Sequence, residues 1–569
     1  MASASEHDVD EKIILEALER MASKQVLKGR RCRECEGGLN FEVESWCRLR
    51  TKCNWTEIPS ENISQLFRDK EVLDNTIQIL SKLHSSATRL QQRVASRSRD
   101  TILKLSKGIT FLPNEILMLI FGFMAPPGDR NSWKQAIWLS HVSRRFRNVA
   151  LGMQSIWTAL DGHASVEEFE TFVARSGKNT DLHLILHSSW RTDDLHDFME
   201  MCLPLAPRWA ALLVVSAVND RGSERTDGVF EELFGCIGKE PLECPRLRLV
   251  RVEQTRFIPD EDLDEDDYYE PRWKTPNLRR IECDEYIPIP SSAYSTVKSL
   301  SVSFSLHVTT FSGRYFKDLR NLLPSMPSLE TLDLTIKTSP QDLEEHHFFR
   351  IESQSVSSLT LNFPSYKAIH WEFDIFLSPF MGSIVMPNLI EFSSSFEIES
   401  QSIDDPDSTE AFLEDLIPSS FPEASEHPNL ASISVKLSLT EGTKQLRWNR
   451  RLKPIEFPLI CMPQVSTLSV QTPFDFTVVI PDIFKGAGSL KELRLLECNE
   501  FDATSLEKLV SSLRNANIWD KLVTFKMENC GDSLEYEDVV KIVGEEKLSF
   551  LRSGRDGLVW RLSSEESEP

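Results

Sequence analysis

The sequence predicts an α/β protein. A helical N-terminal region and a small all-α module are followed by a long array of strands in one parallel sheet. Three observations predict it. From about residue 180 a pattern apolar-x-x-apolar-x-apolar recurs ten times in series. Between residues 111 and 160, two amphipathic stretches and a short third piece read as three helices. Between 61 and 107 glycine is absent and apolar residues return at steps of seven.

Composition sets the frame. A chain of 569 residues exceeds what one hydrophobic core serves, so several domains are expected. Hydrophobic residues at 40% and charged residues at 27% are ordinary globular values. Only 22 glycines exclude collagen-like and flexible low-complexity classes. A formal charge of −23 argues against nucleic acid as the main partner, because phosphate binding needs basic surface. No run of 18 apolar residues occurs, so no membrane span is expected. The segment from Met1 to Asp8 lacks the basic and apolar regions of a signal peptide. Of eleven cysteines, seven (Cys202, Cys236, Cys244, Cys283, Cys461, Cys498 and Cys530) lie scattered without motif spacing. They read as reduced thiols, mostly buried small hydrophobes, and the expected compartment is cytosol or nucleus. In such a compartment the sequons at Asn54 and Asn62 carry no sugar.

Residues 1–60 form a cysteine-containing segment. Ile13, Ile14, Leu15, Leu18 and Met21 outline a short amphipathic helix or a frayed tail. Cys32, Cys35, Cys47 and Cys53 then follow a C-x2-C-x11-C-x5-C pattern, with Gly37 and Gly38 after the first pair. Cys-x-x-Cys followed by glycine is the turn that aims two thiolates at one ion, so a structural zinc knuckle is one reading. Four free thiols are the other, and the second pair is spaced wider than usual. Over 61–107, Leu66, Leu73, Leu80, Ala87 and Val94 form one column. Ile63, Lys70, Ile77, His84 and Gln91 form a second that is only half apolar. This is a helix that either folds back on its own domain or dimerises as a short coiled coil.

Residues 110–160 carry the strongest local signal. Leu112-Pro113-Asn114-Glu115-Ile116-Leu117 opens a helix, with proline where a missing N–H costs nothing. Ile116, Leu117, Ile120, Phe121 and Met124 give it a wide apolar face, and Pro126-Pro127-Gly128-Asp129 ends it. In the next stretch Leu139, Val142, Phe146 and Val149 fall at helical spacing, opposite Arg144 and Arg147. A third piece ends at Trp157. Three short helices cannot bury so many apolar side chains by themselves, so a partner or the next domain must cover some. The segment resembles the F-box family. Leu112 to Phe121 match its Leu-Pro-x-Glu-Ile-Leu-x-x-Ile-Phe block, Val142 to Ala150 match its second block, and Trp157 matches its terminal tryptophan. Ser143 replaces the usual cysteine, Phe146 replaces tryptophan, and the first loop is longer. The resemblance implies binding to a Skp-family adaptor and, through it, to a cullin ligase core. It implies that Leu112, Pro113, Ile116, Leu117, Ile120, Phe121, Val142 and Phe146 face the adaptor. For Phe121 and Val142, packing in the module's own core is an equal reading.

Residues 175–555 hold the repeats, from Leu247-Val250-Val252 through Leu329-Leu332-Leu334 to Leu522-Phe525-Met527. Several begin with a proline lead-in such as Thr275-Pro276-Asn277-Leu278, Met386-Pro387-Asn388-Leu389 or His427-Pro428-Asn429-Leu430. The mean period is about 31 residues. The array resembles an irregular leucine-rich repeat, which implies a solenoid with one strand per unit in a parallel sheet and a concave binding face. An antiparallel sandwich is the competing fold. Segments 182–186 and 212–215 start the array, and 556–569 is an acidic tail.

No G-x-S-x-G, phosphate-loop or H-E-x-x-H pattern occurs, so no enzyme activity is expected. Gly235 to Lys239 is too short for a phosphate loop, and Glu344-Glu345-His346-His347 lacks a third metal ligand. The function expected is the non-catalytic, target-recognition subunit of a Skp–cullin–F-box ubiquitin ligase. The alternative is a non-ligase scaffold dimerising through 61–107. The charge is unevenly spread: +3 over residues 1–110, +2 over 111–161 and −28 over 162–569. Acidic runs at 260–270 and 399–415 are solvated loops or a steering surface, and the second reading favours a basic target.

Overall fold

The computed structural model describes scattered residues between 70 and 109, and then residues 112–126, 129, 131–187, 192–215, 242–253, 273–306, 309–338, 349–367, 372–399, 413, 416–439, 455–457, 463–474, 476–478, 489–498, 501–531, 534–553 and 559–562. The chain divides into two compact units, Met1–Ile116 and Leu117–Pro569. In the first, the described residues from 70 to 96 are all helical. The leucine column of the 61–107 helix lies outside the described residues.

Helices α1 (Asn114–Met124), α2 (Ser132–Val142) and α3 (Arg144–Gly152) follow in close succession. Pro113 stands just before α1. Only Ser143 separates α2 from α3. It is extended, and its side chain accepts the N–H of Phe146 at 3.1 Å, satisfying one of the donors that a helix start leaves open. A 3-10 turn, Gln154–Trp157, brings Trp157 into the interior. Its indole N–H donates to the Ala150 carbonyl at 2.8 Å, its ring meets Phe172 edge-on, and Arg175 lies over its face.

One sheet of fifteen strands runs through the rest of the second unit. In chain order these are β1 (Ala159–Asp161), β2 (Leu182–His187), β3 (Trp209–Val215), β4 (Leu249–Glu253), β5 (Arg280–Asp284), β6 (Ser299–Leu306), β7 (Thr331–Thr338), β8 (Ser358–Lys367), β9 (Glu391–Glu399), β10 (Ser432–Leu439), β11 (Thr467–Gln471), β12 (Glu492–Leu496), β13 (Thr524–Glu528), β14 (Leu548–Ser553) and β15 (Val559–Leu562). Spatial order equals chain order, and each neighbouring pair is parallel except β14 with β15. The protein is therefore mixed α/β with a large parallel sheet, and the antiparallel sandwich is excluded. The sheet also exceeds the expected 175–555 limits: β1 precedes them, and β15 is a strand within the segment read as an acidic tail. Some crossovers are helical, as at α4 (Val166–Ser176), α5 (Thr192–Cys202), α6 (Thr309–Leu322), α7 (Glu372–Ser383), α8 (Ala503–Asn515) and α9 (Tyr536–Val543). Other connecting segments form three short parallel strand pairs.

The repeat pattern explains this sheet residue by residue. Its second apolar positions form one continuous row across the strands. Val250 pairs with Ile281, then Leu300, Leu332, Leu359, Phe392, Ile433, Leu468, Leu493 and Phe525 in register. The third positions form the parallel row two residues on. No pattern position in any of the ten occurrences is more than 6% exposed. Side chains alternate across a strand, so one face of the sheet is packed and the residues between point the other way.

The first apolar position sits in a turn before each strand. Leu278, Leu329, Leu389 and Leu430 each donate their N–H to the carbonyl three residues back, at 3.0–3.2 Å. The polar residue of the lead-in then reaches the preceding unit. Asn277 donates to the Pro245 carbonyl at 2.7 Å, Asn388 to Gln354 at 2.7 Å and Asn429 to Pro387 at 2.9 Å. Gln464 donates to His427 at 3.1 Å and Ser489 to Pro463 at 2.6 Å in the same manner. A proline supplies the tight turn, and the amide beside it satisfies a carbonyl the turn leaves without a strand partner.

At β1–β3 the alternation stops. β3 is buried at every position and β2 at all but His183. Ala159, Ile185, Ala211, Leu213 and Val215, on the face that is polar further along, form an apolar cluster against which Trp133 of α2 packs. The three-helix segment thus sits on the open face at the start of the sheet.

Candidate functional site

Helix α1 leaves an apolar surface in solvent, and α2 and α3 expose large apolar residues beside charged ones. Every residue of α1 from Ile116 to Phe121 is a large hydrophobe, so no rotation of the helix can bury them all. Leu117 and Phe121, four residues apart, turn inward and are each 1% exposed. The Phe121 ring lies 5.0 Å from that of Phe146, which is half-buried. This corrects the assignment of Leu117 and Phe121 as partner-facing. They support the segment from within, in keeping with the core reading of Phe121. Ile116, Ile120 and Val142 do lie exposed, Val142 at 64%. Leu112 is half-buried and Pro113 exposed.

Three strongly exposed apolar residues of α1 and α2 are ones the sequence did not single out. Phe123 is 86% exposed, Trp138 67% and Leu119 59%, and Met118, Met124 and Leu151 are also exposed. The signal available was the fully apolar circumference of α1, which leaves an outward stripe at Leu119 and Phe123 once Leu117 and Phe121 face in. Unlike these, the apolar side chains at the repeat positions of the sheet are buried.

The open face of the sheet is polar from β4 onward. Its middle carries small hydroxyl and acidic residues in register, such as Ser301, Asp333, Thr360, Ser393, Ser434 and Ser469. Charge pairs flank this stretch. Glu282 takes both Arg251 and Arg280 on one side, and Lys337 reaches Asp284 at 2.6 Å. On the other side Arg494 grips Glu492 in a fork at 2.7 and 3.0 Å, and Lys526 pairs with Glu528. Arg494 holds the Glu492 carboxyl below its ordinary range. These exposed pairs contribute little stability and leave a face patterned in both signs.

A second cluster lies at the carboxyl ends of β1 and β2. Asp161 ends β1, His163 lies in the turn after it, and His187 ends β2. The Asp161 carboxylate accepts the backbone N–H of His163 at 2.8 Å and lies 3.1 Å from His187 Nε2 and 3.6 Å from His163 Nδ1. Asp161 and His187 are buried, whereas the His163 side chain is 52% exposed. Burial would raise the Asp161 pKa, but the His187 hydrogen bond, the His163 N–H and the two imidazoles outweigh it and hold it low. Burial and the charge of His187 lower His163 despite Asp161. No sequence motif marks this cluster, because its members come together only through the parallel pairing of β1 and β2.

Cys202, Cys244, Cys283, Cys498 and Cys530 are free and buried, as read. Burial pushes the Cys244 thiol up to about 12 and those of Cys202 and Cys283 higher, which makes them inert. Cys236, Cys461, the possible zinc ligands Cys32, Cys35, Cys47 and Cys53, residues 260–270, most of 399–415, Gly235 to Lys239 and Glu344 to His347 lie outside the described residues. Among the described residues, no helix is long and apolar enough to cross a membrane. Comparison with protein-family models and with curated proteins finds no match to this chain.

Proposed function

We propose that this chain is the target-recognition subunit of a Skp–cullin–F-box ubiquitin ligase. In this reading residues 110–160 are an F-box that holds the adaptor, and the sheet is a leucine-rich-repeat-like array that holds the target. The observation that carries it is the set of large apolar side chains that α1 and α2 leave in solvent, above all Leu119, Phe123, Trp138 and Val142. Covering one such side chain is worth about 1.5–3 kcal/mol, so a partner that seats several gains a strong anchor. Leu-Pro-x-Glu-Ile-Leu at the start of α1, the matching block from Val142 to Ala150 and the interior Trp157 support the same reading.

The repeat reading draws on Cys498 and Cys530. Each lies three residues beyond the last apolar position of its unit, the place where a leucine-rich repeat carries Asn or Cys. The Cys498 thiol donates to the Val470 carbonyl at 3.6 Å, and Cys530 to Leu495 at 3.3 Å, each in the strand before its own.

The chain itself needs no catalytic group. A ligase of this kind works by holding a target near a charged conjugating enzyme, which replaces a bimolecular encounter by a positioned one. That requires the adaptor face and the target face to keep a fixed relation. Helix α2 supplies it, since Trp133 packs on β1–β3 while Trp138 and Val142 point outward. The acidic balance of residues 162–569 favours a basic target.

The test is affinity capture of the full chain after co-expression with a Skp-family adaptor. Wild type should retain the adaptor, and a Leu119→Asp/Phe123→Asp variant should lose at least about 100-fold in affinity while melting at the same temperature. A wild-type chain that fails to bind where other F-box modules do would overturn the reading. Self-association in place of adaptor binding, lost on truncating 61–107, would instead favour the scaffold.

A further inference from the structure

We propose that Asp161, His163 and His187 form a binding site for one divalent transition-metal ion of the zinc class. The three side chains offer one carboxylate oxygen and two imidazole nitrogens, and these donor atoms all lie within 4.8 Å of one another. Neutral imidazole together with one carboxylate is the donor set that suits zinc, cobalt and iron, and not calcium or magnesium, which favour oxygen alone.

The spacing is that of ligands around such an ion. Bonds of about 2.0–2.1 Å at tetrahedral angles set donor atoms ~3.3 Å apart. Asp161 Oδ1 lies 3.1 Å from His187 Nε2 and 3.6 Å from His163 Nδ1. Two of the three edges of a coordination face are therefore already at the right length, and the imidazole rings sit with centroids 3.7 Å apart.

The backbone holds this arrangement. Asp161 pairs with Ile185 across the β1–β2 ladder, so His187, two residues further along, projects from the same face. The backbone N–H of His163 donates to Asp161 and fixes the turn that carries the third ligand. Gly162 donates to the Ile185 carbonyl at 3.1 Å and ties the turn to β2. Two ligands are thus anchored on strands and buried, while the third is on the surface. An ion bound there would keep at least one coordination position open to water, as sites with three protein ligands do. It would also clamp the first two strands together beside Trp133, where the helices meet the sheet.

The experiment uses the full chain with Cys32, Cys35, Cys47 and Cys53 changed to Ser, so that thiolates at the N-terminus cannot supply the signal. Cobalt(II) is titrated and its visible ligand-field spectrum recorded. One equivalent should bind, without the thiolate charge-transfer band that cysteine ligands give. His163→Gln, a change at an exposed side chain, should weaken binding at least tenfold while leaving circular dichroism unchanged. Zinc should raise the melting temperature of the parent and not of the His163→Gln variant. Equal cobalt affinity in parent and variant, or no stoichiometric binding to a folded parent, would overturn the proposal and leave the cluster a histidine–aspartate hydrogen bond. Adaptor binding is unaffected by either result, so this test stands apart from the ligase reading.

Discussion

The α1–α3 segment and the sheet array treat apolar residues in opposite ways. In the array, Leu332, Leu359 and Ile433 are fully buried, each between equivalent residues of the strands before and after. In the helices, Leu119, Phe123 and Trp138 are mostly exposed. A repeating unit meets a copy of its own requirement on both sides, so its core closes as the strands stack. The three-helix segment meets the sheet through Trp133, and among the described residues nothing covers its exposed apolar side chains. Large apolar side chains occur in both regions, and their place in the fold decides whether they become core or surface.

That contrast can be broken at its strongest point. Leu361→Ala, in the centre of β8, should cost about 2–5 kcal/mol through lost burial and a cavity. Phe123→Ser should stay within about 0.5 kcal/mol. Chemical denaturation of the two variants measures both, and similar losses would erase the distinction. Gly531 comes next. It has φ +38°, and a Cβ there would collide with the Phe501 carbonyl oxygen. Gly531→Ala should cost about 1–3 kcal/mol by the same assay, and a neutral result would mean the turn after β13 yields freely. Asn429→Ala removes one link of the lead-in ladder and should cost about 0.5–1.5 kcal/mol. A zero cost would mean that water replaces the link without penalty.

The smallest effect is a pH dependence. His427 occupies a lead-in position filled by Met326 and Met386 in other units, and all three are fully buried. Burial lowers its pKa below the ordinary 6.5 despite the Glu423 carbonyl at 2.9 Å and the charges of Glu426 and Glu423. The unfolded chain therefore takes up a proton that the folded chain refuses. Stability from this residue is full above about pH 6.5, falls as pH drops through that value, and is gone below the folded pKa. Denaturation midpoints from pH 7.5 down should decline, and His427→Gln should flatten that part of the decline. An unchanged slope in the variant would assign it to other groups, such as the half-buried His183, whose pKa desolvation also lowers.

Much of the sheet was readable from the sequence because leucine spacing is a local signal. Leu278, Ile281 and Cys283 already state a turn, a strand and its packed face. The parallel register follows once every unit repeats the statement. Four things were not readable in this way. Cys498 and Cys530 looked motifless, because their shared place shows only when strand ends are aligned. From Trp209 to Val215 there is no alternation but a seven-residue apolar run, which signals burial on both faces, yet nothing local says that Trp133 supplies the cover. The Asp161–His163–His187 cluster depends on which strand lies beside β1, a long-range fact. In α1 the apolar content was plain, but its inward side was not, since Leu117, Ile120 and Phe121 have equal claims until the ring of Phe146 settles which turn faces in.

The reversal of β15 bears on how such a chain can change over generations. Each junction from β4 to β13 presents the same register, Ile281 beside Leu300, Leu332 beside Leu359, Leu468 beside Leu493. Duplication or deletion of a whole unit at any of these junctions leaves matching neighbours on both sides. β15 runs antiparallel to β14 and offers no such match, so growth beyond it would need a new pairing scheme. The gene can therefore lengthen or shorten its array from within while both ends stay as they are.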